Sequence, residues 1–275
     1  MRRSTLNTPV ETARLLTDAN AAKARLPIPK LFVLAILGGA FIALAGLAAA
    51  LSSAAISNAS ASRLINACIF PAGLIMLIIS GGELFTGNCM MIMPLLDRKV
   101  GIGLVLRNWL FVYIGNFVGS ILVALLVSGS QLFGLLGGAF GASVISTAAT
   151  KCSLPFAQAF LRGIGCNFLV CTAVCLANAS KSAGGKILGI FFPVMAFVAA
   201  GFEHSIANMY YISAGMLAKL ADPATAAAAG AAINWSNFLL GNLLPVTLGN
   251  MVGGVFLGAC LWYARLHQSA RVPAA

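Results

Sequence analysis

The chain has 275 residues, of which 60% are hydrophobic and only 8% charged, with a mean hydropathy of +0.96 and a formal net charge of +11. A soluble domain carries about a quarter charged residues, so most of this polypeptide must face lipid or other helices, and soluble classes are excluded. Its seventeen basic residues are scattered over short loops and form no basic stripe of the kind that reads nucleic acid; they serve as topology signals instead.

Residues 1–29 are polar and lack the short apolar core and small-residue cut site of a secretory leader, so they are expected to stay with the mature protein. Thr8 and Pro9 form a helix start signal, and apolar residues follow at helical spacing as far as Arg25. This predicts an amphipathic helix on the inner membrane surface, with a partly ordered tail as the alternative.

Crossing the hydrocarbon takes about 20 apolar residues, and runs of that kind lie near 31–54, 64–96, 103–129, 155–178, 187–218 and 235–264. The second is longer than one crossing needs and is interrupted by Ser80, Gly81, Gly82 and Glu83, which predicts a broken helix. Lys151 stands alone ahead of Pro155 and the fourth run, where it reads as an interfacial anchor with a snorkelling side chain. The fifth run is interrupted in its turn at Ala200, Gly201, Phe202, Glu203 and His204. Tyr210 and Tyr211 behind it read as packing residues. A short tail, 265–275, ends the chain.

With the N-terminus in the cytoplasm, thirteen of the seventeen basic residues fall inside, and Arg63, Lys151, Arg162 and Lys219 fall on or toward the outside. The positive-inside rule therefore predicts a multi-pass protein with both termini cytoplasmic. Seven cysteines, odd in number and without a Cys-x-x-Cys pair, argue against a disulfide framework or a zinc site.

The two halves resemble each other. Asn108-Trp-Leu-Phe-Val-Tyr-Ile-Gly-Asn-Phe-Val-Gly119 aligns with Asn242-Leu-Leu-Pro-Val-Thr-Leu-Gly-Asn-Met-Val-Gly253 at seven of twelve positions, and each interruption carries a Glu followed five residues later by Asn: Glu83 and Asn88, Glu203 and Asn208. Three spans per unit make the second copy enter from the opposite side. The expected fold is thus an all-α membrane protein of six transmembrane helices in an inverted 3+3 repeat, helices 2 and 5 broken. The pore domain is 30–264, with repeats 30–129 and 150–264. Such a fold places its pathway at the bilayer midplane between the breaks, where freed backbone groups need partners.

Two of the six acidic residues, Glu83 and Glu203, lie at membrane depth, where an ionisable group costs roughly 2.5–3.5 kcal/mol even on a lenient scale. They are expected to support the helix breaks rather than touch substrate. His204 can change charge near neutral pH, which suits a group that meets a weak acid or its anion in the pore. Thr86 offers a hydroxyl to His204 or to an anion. Asn167 and Asn208 offer amide donors to the pathway or to the breaks. A membrane enzyme would need metal ligands or a nucleophile and base, and the histidine count and cysteine spacing supply neither.

Gly201-Phe-Glu-His-Ser-Ile-Ala-Asn-Met209, Leu84-Phe-Thr86 after an acidic residue, the Asn-Trp-Leu segment from Asn108 and Asn242-Leu-Leu-Pro-Val-Thr-Leu-Gly-Asn250 together resemble the formate/nitrite transporter family over nearly the whole chain. The resemblance implies a homopentamer with one pore per subunit and an aquaporin-like helix arrangement. It implies a pore-lining loop at Leu84, Phe85 and Thr86, the pore histidine at His204, and an outer-vestibule lysine at Lys151. It also implies two apolar constrictions at Phe70, Leu74, Leu84, Phe85, Val170 and Phe197. The expected cargo is a small monovalent anion or its neutral acid, formate first and nitrite or hydrosulfide as alternatives, with no cofactor. The host is expected to be a bacterial or archaeal cytoplasmic membrane. Glu83 stands where the best-known formate channel branch carries Asp, and Glu-Leu-Phe-Thr-Gly-Asn looks like branches that include formate-dehydrogenase-linked carriers and hydrosulfide channels. A proton-coupled symporter is the rival mechanism. An aquaporin is disfavoured because neither half has the Asn-Pro-Ala signature.

Overall fold

The computed structural model describes residues 4–223 and 230–267. Arg2, Arg3, Arg271 and most of the expected C-terminal tail lie outside them. The elements are α1 (Pro9–Ala24), α2 (Ile28–Ser53), α3 (Ala59–Ile69), α4 (Ala72–Ser80), α5 (Phe85–Asn88), a 3₁₀ turn (Cys89–Met91) and α6 (Ile92–Leu96), then α7 (Ile102–Gly129). A 3₁₀ segment (Leu132–Gly138) leads into α8 (Ala139–Cys152), followed by α9 (Phe156–Ala179), α10 (Ala183–Ala199) and α11 (Ser205–Ala221). A π-helical stretch (Asn237–Leu243) then runs straight into α12 (Leu244–Arg265).

α1 begins where the start signal stood. Thr8 Oγ1 accepts from the Glu11 amide while the Glu11 carboxylate accepts from the Thr8 amide, and Pro9 occupies a first-turn position that needs no N–H. Its buried side, including Ala13, Leu16, Asn20 and Ala21, packs on α6, α7, α9 and α12.

Among the described residues six helices are long and apolar enough to cross a membrane, and they include Leu132–Cys152, which falls outside the six predicted runs. Positive φ at Leu136, Gly137 and Gly138 breaks that segment. What remains as α8 is 14 residues, about 21 Å long, short of a core about 30 Å thick. The fifth predicted run is divided between α10 and α11, each of 17 residues.

Both breaks end their first half in the same way. Gly81 (φ 89) and Gly201 (φ 72) adopt the left-handed conformation, and the amides behind them, those of Gly82 and Phe202, reach back to Leu77 O and Phe197 O. This is a Schellman-type stop, which only glycine makes without strain.

The two halves are held by the same kind of helix pair. A Cβ on Gly119 would land on the Ile36 carbonyl oxygen, and one on the equivalent Gly253 would land on that of Ile164. Backbone contact of this kind packs α2 on α7 and α9 on α12. Pro245, where α7 has Phe111, has no N–H to return to the carbonyl four residues earlier, and the ladder widens into the π-helical stretch just ahead of it.

Candidate functional site

The breaks meet. Thr86 Oγ1, in the first turn of α5, lies 3.0 Å from His204 Nε2 at the cap of α11, and both residues are buried. His204 Nδ1 accepts the Ala207 amide at 3.1 Å, as an N-cap residue does. The ring proton therefore belongs on Nε2, which donates to Thr86 and leaves the threonine hydroxyl proton free to be offered elsewhere.

Around this contact each break is held by matching partners. The Glu83 amide donates to Leu34 O at 3.0 Å, and the Glu203 amide donates to Arg162 O at 3.3 Å. Asn116 Nδ2 donates to Ala35 O and Glu83 O, while Asn116 Oδ1 accepts from the Phe85 amide at 3.0 Å. Asn250 does the same with Gly163 O, Glu203 O and the Ser205 amide at 2.9 Å. Every freed backbone group named here thereby gains a partner in a region where an orphan costs several kcal/mol.

The glutamates are matched as well. Glu83 Oε2 accepts from Asn88 Nδ2 at 2.7 Å, and that amide also reaches Asn108 Oδ1 at 2.8 Å. Glu203 Oε2 accepts from Asn208 Nδ2 at 2.7 Å, which in turn reaches Asn242 Oδ1 at 2.8 Å. A lysine closes each set: Lys23 Nζ lies 3.1 Å from Glu83 Oε1, and Lys151 Nζ lies 2.9 Å from Glu203 Oε2 and 3.1 Å from its Oε1. Each lysine carbonyl accepts from the remaining asparagine, Lys23 O from Asn108 and Lys151 O from Asn242.

Lys23 entered the sequence reading only as one of the inside charges, although a signal was present. Leu26-Pro27 follows Lys23 at the spacing at which Leu154-Pro155 follows Lys151. α1 thus stands to the first half as α8 stands to the second. Asn108, Asn116, Asn242 and Asn250 were likewise visible as identities between the halves, without a role.

Two cavities approach the Thr86–His204 contact. One, of about 540 Å³, is lined by Arg63, Lys151 and Glu203 and reaches Phe70, Phe197 and His204. The other, of about 210 Å³, is lined by Lys23, Lys186 and Glu83 and reaches Leu74, Leu77 and Leu84. Phe70 and Phe197 meet edge to face with centroids 5.8 Å apart, and Phe197 stacks on His204 at 6.0 Å. Val170 is buried in the same core and lines neither cavity. Phe85 lines neither as well, since its ring packs edge-on against Trp109 and Tyr113. Asn167 donates to Thr86 O and Asn250 O, and so holds the loop that presents the threonine.

The model of the family described as formate/nitrite transporter matches residues 10–264. The chain belongs to the formate/nitrite transporter family. A "Probable formate transporter" of Methanothermobacter thermautotrophicus is 39% identical to it, over 96% of this chain and 99% of that protein. The formate channel FocA of Escherichia coli K12 is 33% identical over 95% of each chain. Among solved structures, a pentameric formate channel with formate bound is similar at a TM-score of 0.78 and 34% identity, over 87% of this chain and 98% of that one. As a member of that family with six membrane-capable helices among its described residues, the chain is an integral, multi-pass membrane protein. The relatives named here are described as transporters and channels.

Proposed function

We propose that the protein is a channel for small monovalent anions of weak acids, with formate as its cargo, working as a homopentamer with a path through each subunit. Both termini face the cytoplasm of a bacterial or archaeal cell in this reading. The observation that carries it is the Thr86–His204 contact, set between two cavities that each carry excess cationic charge. The relatives named as formate channels, and the pentameric neighbour with formate bound, support the same cargo and assembly.

The path works by exchange of partners. An anion in either cavity keeps water and cations beside it; at Phe70, Phe197, Leu74 and Leu84 it must shed that shell, and a bare charge in an apolar medium costs many kcal/mol. The Thr86 hydroxyl, polarised by the Nε2–H of His204, supplies the one strong donor at that point, and the N-terminus of α11 adds its positive end. A second proton on the ring would sit on Nδ1, facing the Ala207 N–H, so the imidazole becomes a proton donor to the passing anion only where that cap opens.

The test is flux through purified protein in liposomes for formate, nitrite and hydrosulfide, with and without a proton gradient. His204→Asn is the informative variant, because asparagine keeps the cap of α11 and removes the imidazole. Formate flux without a gradient, and a pH profile that changes in the variant, are expected. Flux that requires a proton gradient and saturates would favour a symporter, and an unchanged pH profile would remove the histidine from the mechanism.

A further inference from the structure

The two lysines nearest the path are both paired with carboxylates. Lys151 gives both short contacts to Glu203, and Lys23 is paired with Glu83, so each of these cations is cancelled by a carboxylate within 3.1 Å. Seen from outside the cavity, such a pair is a dipole whose field falls off much faster than that of a lone charge.

Each cavity holds a second cation that has no such partner. Arg63, in the second turn of α3, lines the larger cavity with Lys151 and His204. A Cβ built on Gly201, two residues before Glu203, would lie 3.8 Å from Arg63 Nη1, which places the guanidinium over the break. Lys186, in the first turn of α10, lines the smaller cavity with Lys23 and Glu83. Neither Arg63 nor Lys186 forms an ion pair with a carboxylate of the described residues. Each cavity thus carries two cations against one carboxylate, and the surplus sits on a helix of the opposite half, α3 for the cavity at Glu203 and α10 for the cavity at Glu83.

We infer that Arg63 and Lys186 are the anion-capturing residues of the two mouths, and that Lys151 and Lys23 act chiefly to neutralise the buried glutamates. The inference rests on the anion-channel reading above. A lone charge at a low-dielectric mouth raises the local anion concentration and the capture rate, an effect that salt screens over about 8 Å at physiological ionic strength. Loss of the charge should therefore slow uptake through one face only, at low substrate and low salt, and leave the inner part of the path intact.

The experiment is initial uptake of radiolabelled formate, well below saturation, into membrane vesicles of right-side-out and inside-out orientation, at low and at high salt. Arg63→Gln should slow uptake across the Arg63 face by roughly 3–10-fold at low salt, since one charge supplies only part of the about 10–10³-fold that a whole steering field gives, and approach wild type at high salt. Arg63→Lys should retain wild-type rates, and Lys186→Gln should show the same behaviour at the opposite face. Equal uptake by wild type and Arg63→Gln at low salt would overturn the inference. A deficit that persists at high salt, or that Arg63→Lys shares, would overturn it too, because it would mark a structural role. Wild-type vesicles that take up formate no faster than vesicles without the protein would remove the anion-channel reading itself, and this inference with it.

Discussion

Each buried glutamate has a lysine and an asparagine pointing at it, so loss of the lysine leaves the carboxyl group without its ion-pair partner inside the protein. The Lys151 side chain is 15% exposed and that of Lys23 is 34% exposed. Breaking a buried pair by removing one partner costs about 3–5 kcal/mol, whereas a pair that water reaches is worth far less. Lys151→Met should therefore lower stability by about 3 kcal/mol, and Lys23→Met by about half as much, read as the midpoint of thermal unfolding in detergent. Adding Glu203→Gln or Glu83→Gln to the matching lysine variant should recover part of the loss, since glutamine still accepts from Asn208 or Asn88. Single and double variants melting together would mean that the ion pair is not what holds the break.

At the scale of elements, the α2–α7 and α9–α12 pairs depend on backbone approaching backbone. Gly119→Ala would drive a methyl group into the Ile36 carbonyl, whereas a Cβ on Gly129, at the end of the same helix, meets nothing within 4 Å. Gly119→Ala should yield little folded protein by size-exclusion chromatography, and Gly129→Ala should behave as wild type. α1 carries a milder, pH-dependent weakness. The Thr8 amide donates to the Glu11 carboxylate and holds its pKa below the ordinary 4.5. A depressed acid stabilises the folded form above that value and loses its contribution as pH falls through the lower, folded one. The start of α1 should thus be unaffected near neutral pH and fray in acid; amide exchange at Thr8 and Glu11 would report it, and Glu11→Gln should abolish the pH dependence. These elements also show what a sequence can and cannot disclose. The broken helices were legible because Gly81 and Gly201 interrupt long apolar runs, each two residues before a Glu with an Asn five positions on. The break at Leu136–Gly138 was not, since three left-handed residues in an apolar stretch leave no trace in its hydropathy. Lys23 reaches Glu83 across sixty residues of chain, and the Lys-x-x-Leu-Pro spacing it shares with Lys151 marks the two lysines as equivalent without naming the carboxylate either one meets. Side-chain direction at a break follows no period either, which is how Phe85 comes to face Trp109 and Tyr113.

For the molecule as a whole, the scaffold repeats but the centre does not. Lys23, Glu83, Asn88, Asn108 and Asn116 recur as Lys151, Glu203, Asn208, Asn242 and Asn250, yet the position of His204 is held by Leu84 in the first half. The imidazole lies at the base of the larger cavity, while from the other mouth Leu74, Leu77 and Leu84 come first. Under the proposed function, a permeant ion would therefore meet similar charge on arrival from either direction but travel unequal distances through oil before reaching the Thr86 hydroxyl. The steepest point of its energy profile would then be displaced toward one mouth, and blockers driven in from opposite faces by a voltage would sense different fractions of the electric field.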